Sequence, residues 1–157
     1  QHAGSTARRV LGSYSFWEGF AHYCEEMVVD AGYRAEDPRT RVAQALEALV
    51  RNCRYLAALG MHTGAMTVDE ATRSFQELAL MEELPARKEA ERGTFDPGYL
   101  NYTLGKLMIR KLREDWRAQK GAAFSLGRFH DTLLSFGGPP VPLVREALLG
   151  SEAGPAL

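Results

Sequence analysis

The sequence predicts an all-α protein. Apolar residues recur at three- and four-residue spacing through most of the chain, helix start and stop signals bracket these stretches, and no period-two segment of useful length interrupts them. At 157 residues the chain is long enough for a real core, since chains of this size bury about 70% of their unfolded surface. A single helical domain or subdomain is expected over residues 1–150, followed by a frayed tail over 151–157.

The first element is a long periodic segment from about Ser5 to Ala31, with Phe16, Phe20, Tyr23 and Met27 on one stripe. Gly12 and Gly19 weaken it, each by up to about 1 kcal/mol relative to alanine. A glycine kept inside a helix often lets a second backbone come close. Gly32 and Asp37-Pro38 end this segment and open the next, a helix to about Leu59 whose apolar stripe is Val42, Leu46, Leu49, Val50, Cys53 and Leu56. Thr67-Val68-Asp69-Glu70 fits a capping box, in which each end residue satisfies a backbone donor of the other. The helix it opens turns Ala71, Phe75, Leu78 and Ala79 inward, then continues or restarts through Pro85 to Arg92. Asp96-Pro97 is a further start signal, leading through Leu100, Leu104, Leu107, Met108 and Leu112 to Trp116. Gly121 stops that helix. Ser125 caps a shorter one through Phe136, and Val141 to Leu149 forms the last after the Gly137-Gly138-Pro139-Pro140 turn.

Composition excludes several function classes. With 19 basic and 20 acidic residues there is no basic excess of the kind that drives phosphate-backbone affinity, so nucleic acid is not an expected partner. Arg51 and Arg54, like Arg110, Lys111, Arg113 and Arg117, read as solvated helix faces balanced by nearby carboxylates. No stretch approaches the roughly 20 apolar residues of a membrane span. Cys24 and Cys53 lack metal-type spacing and read as buried thiols, compatible with a reducing compartment. Gln1 already lies in helix-like sequence without a leader, which is read as a chain starting inside a larger protein.

Chemistry-bearing side chains are densest in Trp17-Glu18-Gly19-Phe20-Ala21-His22-Tyr23-Cys24-Glu25-Glu26. Glu18 and His22 are four apart and share a helix face, as do His22 and Glu26, and Glu25 lies two turns beyond Glu18 on the same stripe. Such a pair can bind a metal jointly, or the carboxylate can orient the imidazole. Glu18, flanked in sequence by Phe16, Trp17, Phe20 and Tyr23, is expected to face a packed interior, where a carboxylate needs a partner. The chain contains no HExxH, no CxxC pair, no Gly-rich phosphate loop and no Gly-x-Ser-x-Gly, so serine-hydrolase and nucleotide-dependent chemistry have no residue set to stand on.

Four blocks carry a resemblance. They are the Trp17–Glu25 segment, similar to Glu-Gly-Trp-Ala-x-Tyr-x-Glu; Leu59 to Ala71 with its Gly60-Met61-His62; Pro97 to Lys106 followed by Leu112-Arg113; and Phe129-His130-Asp131 with the later Gly-Pro-Pro turn. In this order they resemble the bacterial domain-of-unknown-function 885 family, whose members are similar to helical zinc metallopeptidases. The resemblance implies the helical C-terminal part of a zincin-like fold and a zinc-dependent peptidase acting on short peptides. Its His-Glu-x-x-Pro-Gly-His element would lie before Gln1, in an N-terminal part of the same protein. Glu18 would then be the third protein ligand to zinc. Tyr102 and His130 would donate hydrogen bonds to a developing oxyanion, and Arg113 would hold a substrate carboxylate.

Each of these residues also has a structural reading. Tyr102 can close core packing, His130 can be a satisfied histidine beside Asp131, Arg113 can form an ion pair, and His62 can fix a loop. Two departures stand out: Phe20 replaces the family's Trp, and Gly93-Thr94-Phe95 differs before Asp96. Standing against the peptidase are a non-catalytic helical binding or scaffold module, and a retained fold with lost chemistry.

Overall fold

The computed structural model describes residues 6, 10–150 and 154–157. Among them every regular element is helical: α1 Tyr14–Asp30, α2 Pro38–His62, α3 Val68–Ala79, α4 Glu83–Gly93, a 3-10 turn Pro97–Leu100, α5 Asn101–Lys120, a 3-10 turn Gly121–Ala123, α6 Leu126–Ser135 and α7 Val141–Leu149. Two compact units make up the chain, Gln1–Tyr23 with Leu104–Leu157, and Cys24–Thr103. Residues of α1 and of α5 fall in both.

Local signals act where the sequence places them. Asp37 caps α2 by accepting from the Arg39 N–H. Thr67 and Glu70 close a full capping box, with the Glu70 carboxylate taking the Thr67 N–H at 2.8 Å and Thr67 Oγ1 taking the Glu70 N–H at 3.2 Å. Ser125 Oγ caps α6 through the Arg128 N–H. Between α3 and α4 the chain restarts rather than continues, because Leu80 adopts the left-handed conformation at φ 55° and breaks the helical ladder.

The first segment differs from its expectation. Residues 11–13 are not helical, and α1 starts at Tyr14. At Gly12 an added Cβ would fall 1.8 Å from the Trp17 ring, while the Ser13 N–H donates to the Gly138 carbonyl at 2.6 Å and its own carbonyl accepts from Phe16 and Trp17. Ser13 therefore acts as the entry to α1. The part of the expected helix over residues 5 and 7–9, and the tail over 151–153, lie outside the described residues. Of the rest of the tail, residues 154–157 have no regular structure, yet the Gly154 carbonyl is held by Arg145 Nε at 3.1 Å.

In the unit containing both termini, α1 and α5 cross backbone to backbone. A Cβ on Gly105 would sit 1.8 Å from the Ser15 carbonyl oxygen, and one on Gly19 would sit 2.4 Å from the Gly105 backbone. Only glycines permit this approach, as expected for Gly19. The core here is aromatic and branched: Phe16, Tyr23, Ile109, Leu112, Trp116, Phe129, Leu133, Val141 and Val144 are all buried. Trp116 packs against Phe129 and Phe124 with ring centroids 5.6 and 6.1 Å apart.

The unit Cys24–Thr103 has a cluster of small residues around Phe75, with Tyr99 also buried in the unit. Cys53 and Ala57 of α2, Ala71, Phe75 and Ala79 of α3, and Ala86 and Ala90 of α4 form a single buried cluster. Much of the apolar stripe expected of α2 and α3 is not buried. Val42, Leu46, Leu49, Leu56 and Leu78 are exposed. Helical spacing fixes which residues share a face, but α3 and α4 pack around Cys53 and Ala57 and cover neither Leu56 nor the stripe from Val42 to Leu49.

Candidate functional site

Glu18, Arg113 and His130 belong to the unit with both termini, and Tyr102 to the other. At 3.6 residues per turn, Glu18 stands about 140–200° around α1 from Phe16, Phe20 and Tyr23. Flanking these residues in sequence therefore does not pack it among them. It shares its face with His22, which is fully buried, while Glu18 itself is half-buried. Among the described residues the Glu18 carboxylate makes no hydrogen bond or ion pair. The same described residues contain no group of three His, Cys, Asp or Glu side chains that could hold a metal ion.

On the aromatic side of α1, three side chains form a polar chain. Tyr23 Oη shares a 2.9 Å hydrogen bond with His130 Nε2, and Arg113 Nη1 donates to Tyr23 Oη at 3.2 Å. The Arg113 guanidinium also lies 5.5 Å from the centre of the Tyr23 ring. His130 is edge-on to both Tyr23 and Phe20, at 5.6 and 6.4 Å. Burial first, and then the neighbouring Arg113 charge, lower the His130 pKa, with Asp131 opposing. The imidazole is therefore neutral at neutral pH. His130 and Arg113 thus come together through Tyr23, a residue read from sequence only as part of the apolar stripe. Its partners lie 107 and 90 residues away, so no local spacing could reveal it.

Arg113 is also ion-paired on its outer side. Its Nε and Nη2 both reach one oxygen, Glu114 Oε1, at 2.9 and 2.8 Å. The other Glu114 oxygen meets Arg117 Nη1 at 3.1 Å. Below this, Asp115 receives Lys111 at 3.1 Å and the buried Arg145 at 2.6 Å.

In the unit Cys24–Thr103, Arg54 grips Glu89 through two parallel contacts of 2.7 Å, with both side chains mostly buried. Tyr99 donates to Glu89 at 3.2 Å. Burial, followed by the Glu89 charge, pushes the Tyr99 pKa up to about 12. Half-buried Tyr102 lies under the guanidinium groups of Arg54 and Arg51, at 5.9 and 6.0 Å from its ring centre. Arg51 pairs with Glu25 at 2.7 Å and with Glu47 at 3.3 Å. Arg51 and Arg54 are therefore not the solvated face expected from sequence. Their carboxylate partners Glu25 and Glu89 lie 26 and 35 residues away. His62 ties two helix ends and not a loop: from the last residue of α2 its Nε2–H donates to the carbonyl of Gly93, the last residue of α4, at 2.9 Å.

Among the described residues no helix is long and apolar enough to cross a membrane. No curated protein matches the chain. Its fold is similar to that of a solved protein from Colwellia psychrerythraea described as a "putative lipoprotein", with a TM-score of 0.85 and 30% sequence identity. That likeness covers 90% of this chain and 24% of the other, so the chain spans about a quarter of the longer protein's length. Residues 1–148 match the signature of the bacterial proteins of unknown function designated DUF885. With nearly its whole length matched in this way, the chain belongs to the DUF885 family.

Proposed function

We propose that this chain is the C-terminal portion of a zinc-dependent peptidase of zincin-like fold, hydrolysing short peptides, with Glu18 as one metal ligand. The observation that carries the reading is the Glu18 carboxylate, half-buried and without a partner among the described residues. A carboxylate in that position is open to a cation. Carboxylate oxygen is a donor type that zinc accepts, yet a catalytic centre uses three protein ligands and the described residues offer no such group. On this reading the imidazole ligands come from the N-terminal part of the same longer protein, in a His-Glu element. Zinc, when bound, would lower the pKa of a water and polarise the scissile carbonyl.

Within this chain, Arg113 holds a substrate carboxylate. His130 and Tyr102 each donate a hydrogen bond to a developing oxyanion. The experiment is zinc content and peptidase activity of the longer protein, compared with its Glu18→Gln variant. Both should fall at least about tenfold, the usual scale for a perturbed metal site. Unchanged metal occupancy would remove Glu18 from the site.

A second reading, a non-catalytic helical binding or scaffold module, is favoured by α2. That helix leaves Val42, Leu46, Leu49, Leu56 and Leu59 exposed, and exposed apolar surface is the kind that interaction sites use. Absence of zinc and of hydrolysis in the longer protein, with unchanged folding, would decide for it.

A further inference from the structure

We propose that Arg113 is a carboxylate-receiving site whose resting occupant is the protein's own Glu114. The inference rests on the assignment of Arg113 to a substrate carboxylate and adds the group that occupies it at rest; the binding itself needs neither zinc nor Glu18.

The inner side of Arg113 is built. Nη1 is fixed on Tyr23 at 3.2 Å, Tyr23 is 2% exposed, and its hydroxyl is tied in turn to His130. The guanidinium plane is thereby held against a ring while its Nε–Nη2 edge points the other way. That edge is the one that matches two carboxylate oxygens in parallel.

The outer side is improvised by comparison. Both Nε and Nη2 converge on a single oxygen of Glu114, so the fork is filled by half a carboxylate. Arg54 shows what a complete fork looks like in this protein, with Nε and Nη2 each meeting its own Glu89 oxygen at 2.7 Å. Successive residues on a helix do not face each other, so nothing in the geometry of α5 holds Glu114 on its neighbour. The Glu114 side chain is 48% exposed and is shared with the exposed Arg117. Exposed pairs of this kind contribute little net stability. An incoming carboxylate can therefore take both donors of Arg113 while Glu114 swings to Arg117, with no charge left unpaired. A free peptide C-terminus and an acidic side chain offer the same group.

The test is a titration of the full chain, read at the Arg113 Nε–H by NMR. One probe is N-acetyl-Ala-Ala with a free terminus. A second is its C-terminal amide, and a third is an amide-capped peptide whose only carboxylate is a glutamate side chain. The free-terminus peptide or the side-chain peptide should shift the signal to saturation, and which one does identifies the source. The neutral amide should leave it in place. Glu114→Gln, a change at an exposed position, should tighten binding about threefold, the scale of an exposed ion pair. Arg113→Gln should abolish it, with unchanged helicity as the folding control. Equal response to the neutral amide, or unchanged or weaker binding in Glu114→Gln, overturns the proposal. Hydrolysis is not part of the readout, so loss of the peptidase reading and loss of this one are separate results.

Discussion

Two charged sites, one in each unit, are matched to very different degrees. In Cys24–Thr103, Arg54 and Glu89 sit mostly out of water with every strong contact matched, and Tyr99 completes the carboxylate's shell. In the unit with both termini, Glu18 is half-buried without a partner among the described residues, and Arg113 meets only half a carboxylate on its outer edge. A matched, mostly buried ion pair beside Tyr99 is an internal staple. Unmatched or loosely matched charge in a well-packed aromatic unit has capacity left over for something else. The contrast separates structural polar groups from candidate functional ones more sharply than residue type does.

Three substitutions probe that contrast. The largest effect is expected at Phe75, fully buried among alanines. Phe75→Ala should cost about 4 kcal/mol, the scale of an emptied aromatic site, measured by urea denaturation. A loss below about 2 kcal/mol would mean that the small-residue core collapses around the gap.

Glu89→Gln comes next. It strands Arg54 and should cost about 3 kcal/mol near neutral pH. Burial by itself would push the Glu89 pKa up, but the Arg54 hydrogen bonds and charge outweigh it and hold the group below the usual range. The carboxylate therefore contributes stability that is present above the unfolded value of about 4.3 and lost as pH falls through the lower folded value. The variant should flatten that acid limb. If the limb is unchanged, the pair is not the staple described here.

The smallest effect is at His130. Its folded pKa lies below the ordinary value, through burial and then Arg113, so the unfolded state binds the proton first. Stability tied to His130 is full above about pH 6.5 and declines as pH drops below it. An NMR titration should place its midpoint below that of an unfolded control. Arg113→Gln should raise the midpoint by relieving the nearby positive charge. A midpoint at the ordinary value would dissolve the polar chain.

Much of the fold was legible in the sequence because its signals are local. Thr67 with Glu70, Asp37 before Pro38, and Ser125 each act within three residues, and the structure uses each of them. The break at Leu80 was not legible, since a leucine in the left-handed region has no compositional mark. Exposure along α2 was missed for a different reason. Periodicity tells which residues share a face but not which of them a neighbour covers: α3 and α4 pack around Cys53 and Ala57, while Leu56 between them stays exposed. The candidate site was half legible. Arg113 and His130 were named from the resemblance, but Tyr23, which joins them, is an aromatic inside an aromatic stripe. Its hydroxyl gains meaning only when α5 and α6 arrive from far along the chain.

The crossing of α1 and α5 works as an index mark between two rods. With Gly19 and Gly105 in backbone contact, sliding either helix by a residue would bring a side-chain carbon where only a hydrogen fits. The height of every neighbour along the pair is set by that single notch, including Glu18, one residue before it. Exposed side chains elsewhere on the two helices can therefore be exchanged without moving that notch, so long as the two glycines are kept.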